Sequence, residues 1–144
     1  MTVAAILKHK GHDVITVEPT ARIAEVAQVL VERHIGAVLV MDRAAQLLGI
    51  VSERDIVRSL AMNGAATLEM TAGQLMTRAL FTVTADTTVI DAMRMMTEGR
   101  VRHLPVMQGG ALAGLISIGD VVKARIMQQA QEVESLRAYV AGAA

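Results

Sequence analysis

No cysteine occurs in the 144 residues, which excludes disulfide staples, thiolate nucleophiles and Cys-ligated zinc. Aromatic residues are nearly as scarce. Phe81 and Tyr139 are the only two, so there is no set of rings on which bases could stack. Lys plus Arg and Asp plus Glu balance at 14 each, leaving no net basic field to capture nucleic acid through its phosphates. No apolar run approaches the ~20 residues of a membrane span. The stretch from Met1, closed by Lys8 and His9, is too short for a secretory apolar core. A soluble cytosolic chain, with neither nucleic-acid nor membrane partners, is the resulting expectation.

What the chain does have is aliphatic mass and an internal copy. Hydrophobic residues make up 53% of it, ten of them methionine, enough for one domain-sized core of Val, Ile, Leu, Ala and adaptable Met. Gly49-Ile50-Val51-Ser52-Glu53-Arg54-Asp55-Ile56-Val57 recurs as Gly114-Leu115-Ile116-Ser117-Ile118-Gly119-Asp120-Val121-Val122. The copy extends outward: Val17 falls on Val83, Ile23 on Val89, Ala27 on Met93, Leu30 on Met96 and Val40 on Val106. A period seen only twice excludes a long solenoid and points to two units that each need an apolar partner face.

The pattern within each unit reads strand, helix, strand, strand, helix. A short helix over 3–10, begun by Thr2 and stopped by Gly11, precedes the first unit. Strands are expected over 14–17, 37–41 and 47–52. Ile23, Val26, Ala27 and Leu30 mark an amphipathic helix over 21–34, and another runs from Glu53 to about Met62. Residues 64–78 form a connector with a helical turn near 72–76, capped by Thr71. The pattern then restarts. A strand over 80–83 leads to a helix capped by Asp86, then a hairpin around Gly109-Gly110, then a long helix from about Gly119 to Tyr139. On that last helix Ile126, Ala130, Val133, Leu136 and Val140 form a stripe suited either to a partner subunit or to the chain itself. The divisions are repeat one at 12–63, the connector at 64–78, repeat two at 79–128 and a helical extension at 129–144, within a single 1–144 module.

The Ser-x-x-Asp at each strand-to-helix junction carries the chemistry. A helix start presents free N–H groups and the positive end of its dipole, which favour phosphate. Serine can donate to a phosphate oxygen, and an ionised aspartate can accept both hydroxyls of a ribose. Ser and Asp are also ordinary capping residues, but their retention in both copies, while Glu53-Arg54 diverges to Ile118-Gly119, favours ligand sites at Ser52/Asp55 and Ser117/Asp120. Arg102, entering a strand in Arg102-His103-Leu104-Pro105-Val106, and Arg54 are the candidate phosphate ligands. Pro105 removes a backbone donor and leaves an open edge. The matching stretch of repeat one, Ile35-Gly36-Ala37-Val38, is uncharged, so the two sites should differ.

Catalytic readings fail on the same residues. His9 and His12 lack an acidic third ligand for zinc, and no metal is expected. His34 and His103 do not align between the repeats, so they share no acid/base role. Phosphate-loop, dinucleotide-fingerprint and nucleophile-elbow motifs are absent.

At these residues the sequence resembles the CBS-domain family. The duplicated Gly-apolar-apolar-Ser-x-x-Asp, the Val101-to-Val106 stretch and Leu75-Met76-Thr77 before repeat two carry the likeness, which covers about residues 12 to 127. The chain looks like a small stand-alone CBS pair (Bateman module) of the bacterial kind. The resemblance implies an α/β (α+β) fold of two β-α-β-β-α repeats related by a pseudo-twofold, helices outside paired small sheets. It also implies homodimers and an adenosine-containing ligand in the cleft between repeats. AMP leads, with ADP, ATP, NAD(H) or S-adenosylmethionine as alternatives. Carried over by position, Asp55 and Asp120 would hold ribose, and Ser52, Ser117, Arg54 and Arg102 would meet phosphate. Ile15-Thr16, Phe81-Thr82, Gly36-Ala37-Val38 and His103-Leu104-Pro105 would frame the adenine. Gly119 breaks the symmetry, because repeat two has no counterpart to Arg54. The expected function is non-enzymatic: a nucleotide sensor whose change of conformation or assembly is read by an effector protein. The alternative is a dimerisation module with vestigial clefts.

Overall fold

A computed structural model describes residues 1–143. The chain divides into two units, Asp13–Leu80 and a second made of Met1–His12 with Phe81–Ala144. Each is a small sheet covered by helices.

The Asp13–Leu80 unit contains β1 (Thr16–Val17), α2 (Ile23–Arg33), β2 (Ala37–Met41), β3 (Leu47–Ser52), α3 (Glu53–Asn63), a 3₁₀ turn (Gly64–Glu69) and α4 (Ala72–Leu75). Its sheet runs β1-β2-β3, parallel then antiparallel. The apolar stripe of α2 (Ile23, Val26, Leu30) packs with Val38, Val40, Val51 and Ile56. Burying each such side chain is worth roughly 1.5–3 kcal/mol. The connector belongs to this core: Ala72 and Met76 are buried in it, and Thr71 caps α4 by accepting from the Gln74 amide.

The other unit contains α1 (Val3–Lys10), α5 (Val89–Gly99), β4 (His103–Gln108), β5 (Ala111–Ser117) and α6 (Ile118–Ala143). Its core repeats the first almost position for position: Val89, Ala92 and Met96 from α5, Leu104 and Val106 from β4, Ile116 from β5, Val121 from α6. The places held by Ala72 and Met76 in one unit are held by Val3 and Leu7 in the other. The N-terminal helix thus completes the core of repeat two, and the connector completes that of repeat one. Backbone bonds match as well, with Ala72 N–H donating to Ala21 O at 2.7 Å and Val3 N–H to Thr87 O at 2.8 Å.

Two expectations are corrected. The helix of repeat two is capped by Thr88, whose side chain accepts from the Asp91 amide, and not by Asp86. The strand expected over 80–83 shrinks to a single parallel bridge, Val83 with Val106. The reason lies across the ladder. In repeat one Leu39 N–H donates to Ile15 O at 3.3 Å. Pro105 occupies the equivalent position and has no N–H to give. His34 and Arg100, which are repeat-equivalent, are both left-handed residues closing α2 and α5. Along α6, Ile126, Val133, Leu136 and Val140 each expose half or more of their surface, so this stripe does not pack on its own chain. Among the described residues no helix is long and apolar enough to cross a membrane.

Candidate functional site

Sheet register gathers the expected residues at one end of each unit. In the first, Ala37 pairs with Ser52 and Val38 with Val51. Thr16 pairs with Leu39, and Glu53 N–H donates to Gly36 O at 2.9 Å. Ile15, Thr16, Gly36, Ala37, Val38, Ser52, Arg54 and Asp55 therefore share one sheet end and the helix start beside it. In the second unit His103 pairs with Ser117, Leu104 with Ile116 and Pro105 with Leu115. Ile118 N–H donates to Arg102 O at 2.8 Å, and Val83 N–H to Pro105 O at 3.0 Å. Phe81, Thr82, Arg102, His103, Leu104, Pro105, Ser117 and Asp120 are brought to the matching end. Pro105 is a buried strand residue, not part of an open loop edge.

Both Ser-x-x-Asp junctions are reciprocal caps. Asp55 N–H donates to Ser52 Oγ at 3.2 Å, and Ser52 N–H donates to Asp55 Oδ2 at 2.9 Å. Asp120 N–H donates to Ser117 Oγ at 3.2 Å, and Ser117 N–H to Asp120 Oδ2 at 2.8 Å. Such a box fixes the first turn and sets the carboxylate rigidly at the helix start. It engages only Oδ2 of each aspartate. The second helical amides, of Arg54 and Gly119, take part in none of these bonds.

The junctions differ in a third partner, which the sequence reading did not single out. Thr77 Oγ1 reaches Asp55 Oδ1 at a long 3.5 Å. On Asp120 the visitor is an ammonium: Lys10 Nζ lies 2.6 Å from Oδ2 and also donates to Leu115 O at 2.8 Å. Burial alone pushes the Asp120 carboxyl up. The Lys10 hydrogen bond, the Ser117 amide, the Lys10 charge and the Ser117 side chain together outweigh it and hold the carboxyl below its ordinary value. Lys10 and Thr77 each sit just ahead of a repeat, and that shared placement was the available signal. Arg54 and Arg102 are exposed, and among the described residues their side chains form no ion pair or hydrogen bond. His103 has an interaction of its own. No group of three or more His, Cys, Asp or Glu able to hold a metal occurs among the described residues.

Comparison with known proteins decides the family, since the CBS domain profile matches residues 4–62 and 72–126. The chain belongs to the CBS domain family. The fold is that of solved CBS proteins. A CBS-domain containing protein of Agrobacterium tumefaciens is 46% identical with a TM-score of 0.85, covering 87% of this chain and 99% of its own. A CBS domain protein of Pyrobaculum aerophilum, solved in complex with AMP, is 28% identical with a TM-score of 0.73, covering 83% of this chain and 89% of its own. Among curated relatives, the mitochondrial CBS domain-containing protein CBSX3 of Arabidopsis thaliana is 32% identical over 98% of this chain and 72% of its own length. The chain spans about a quarter or less of several longer curated CBS relatives. Its own two CBS repeats carry the paired junctions described above.

Proposed function

We propose that this CBS pair is a non-enzymatic regulatory module that binds an adenine nucleotide, AMP first, and signals through a change of conformation or assembly. The observation that carries the reading is the half-used carboxylate. At both junctions one oxygen of the aspartate is committed to the cap, while Oδ1 stays out of it and on Asp55 meets only the long Thr77 contact, next to a helical amide outside the cap and an arginine that has no partner among the described residues. An acceptor pair held rigidly beside phosphate donors suits a ribose phosphate. The AMP complex of the Pyrobaculum relative supports AMP as the first ligand to test. A ligand shifts an equilibrium only through differential affinity for its states, and arginine-to-phosphate bonds would supply the difference. Homodimerisation and an effector protein belong to this reading. The competing one, a dimerisation module with vestigial sites, draws on the capping boxes, which give Ser and Asp a structural reason to exist.

Asparagine substitution separates the two. Asp55→Asn and Asp120→Asn keep an acceptor for the serine amide but turn the other oxygen into a donor. AMP titration by calorimetry should show each variant about tenfold weaker at its own site, equivalent to ~1.4 kcal/mol, with an unchanged urea midpoint for Asp55→Asn and only the small loss of the Lys10 pair for Asp120→Asn. In the parent chain, AMP at 100 times its dissociation constant should raise stability by about 2.7 kcal/mol. If AMP, ADP, ATP, NAD and S-adenosylmethionine at millimolar levels all leave the melting temperature unmoved, the sensor reading fails and the vestigial one stands.

A further inference from the structure

Within the unit that holds repeat two, α1 and the first turns of α6 enclose a groove of about 670 Å³, within the size range of small-ligand sites. Its lining is lopsided in charge. Its wall is mostly apolar, Lys8, Lys10 and Lys123 stand around it, and Asp120 is the only acidic group among the residues that line it. Asp120 is already engaged by Lys10. Lys8 and Lys123 have no ion pair or hydrogen bond among the described residues. Two uncompensated ammonium groups beside a neutralised carboxylate make a site for several negative charges held close together. At repeat one the group reaching Asp55 is instead the hydroxyl of Thr77.

We propose that this groove takes the outer phosphates of a nucleotide whose ribose is held at Asp120, making repeat two the polyphosphate-selective site of the pair. The inference rests on the nucleotide reading given above and adds to it which ligand class each repeat prefers. Lys10 is the positioning residue, fixing the carboxylate and the end of α1 in register. Lys8 and Lys123 are the specificity residues that tell a triphosphate from a monophosphate. Lysine suits this role, because its compact mobile charge follows a flexible phosphate chain.

The test is calorimetric titration of the full chain with AMP and with magnesium-free ATP at fixed ionic strength. The parent is compared with Lys8→Gln/Lys123→Gln and with a charge-matched control, Arg94→Gln/Arg137→Gln, on exposed positions outside the groove. The lysine pair should lower ATP affinity at one of two sites about tenfold, leave AMP affinity within twofold, and leave the other site unchanged. The control should alter neither. Three outcomes overturn the proposal. If both nucleotides bind and the lysine variant keeps the parent's ATP preference, the polyphosphate groove is wrong and the nucleotide reading survives. If the control loses ATP affinity as much as the lysine variant, net charge and not the groove sets the preference. If neither nucleotide binds the parent, both readings fall together.

Discussion

The two Ser-x-x-Asp junctions are built by one rule and finished differently. Each ties its serine and aspartate into the same reciprocal cap. Each also receives a group from the segment that precedes a repeat. Repeat one receives a neutral hydroxyl at the edge of hydrogen-bond range, and repeat two an ammonium at 2.6 Å. Duplication thus preserved what fixes the helix start and let the electrostatics diverge. A short cap depends on local geometry that two copies share. The third partner arrives from elsewhere in the chain and is free to change.

The same contrast appears in how tightly each repeat's glycine is covered, and it predicts the largest difference. A Cβ on Gly49 would sit 2.7 Å from the Thr77 carbonyl oxygen and 2.7 Å from Met76 Sδ, whereas one on Gly114 would meet first the Leu7 side chain, its nearest methyl at 2.8 Å. Backbone yields less than a side-chain tip. Gly49→Ala should therefore cost roughly 2–3 kcal/mol and Gly114→Ala about 1, within the usual range for overpacking. Urea unfolding would rank them, and equal costs would break the comparison.

The Lys10–Asp120 pair comes next. The Asp120 carboxyl is held below its ordinary 3.8, so its contribution is present above that value and is lost as pH falls through the lower folded value. With the two side chains 36% and 24% exposed, solvent screening limits the contribution to about 0.5–1 kcal/mol. Lys10→Met should therefore be less stable than the parent near pH 7 by that amount, with the gap closing as pH falls below the ordinary carboxylate range. Thr77→Val should show a gap below about 0.5 kcal/mol. A pH-independent gap for Lys10→Met would mean lost packing and not lost charge.

The smallest effect concerns the shortened edge. Pro105→Val would restore the amide that Leu39 supplies in repeat one. Amide exchange should show new protection at residue 105. The net stability change should stay within about 0.5 kcal/mol, because the gained bond is offset by the freer unfolded chain.

Much of this fold was legible in the chain. The strands Ala37–Met41 and Leu47–Ser52 and the helix Val3–Lys10 follow directly from apolar period and flanking glycines. The family and its fold followed from the duplicated motif. What was hidden was non-local. Nothing in the period of α1 says that Val3 and Leu7 are buried with Val89 and Ile116. Nothing near Pro105 announces that its missing N–H would erase a strand more than twenty residues earlier. The cap was misplaced at Asp86 because Thr88 lies only two residues on and both are capping types. At the site, the Ser and Asp positions were visible as a repeated pattern and Arg54 and Arg102 as departures from it, while the contacts of Lys10 and Thr77 were not, because their partners lie in another element.

That α1 completes the core of repeat two has a consequence for the order of events during synthesis. The stretch Asp13–Leu80 is continuous and carries its own core, so it can fold as soon as it has been made. Val3, Ile6 and Leu7 are made first and must wait until β5 and the start of α6 emerge before they are covered. Closing so long a loop is slow relative to local contacts. The apolar segment with Val3, Ile6 and Leu7 should therefore stay uncovered while Asp13–Leu80 folds.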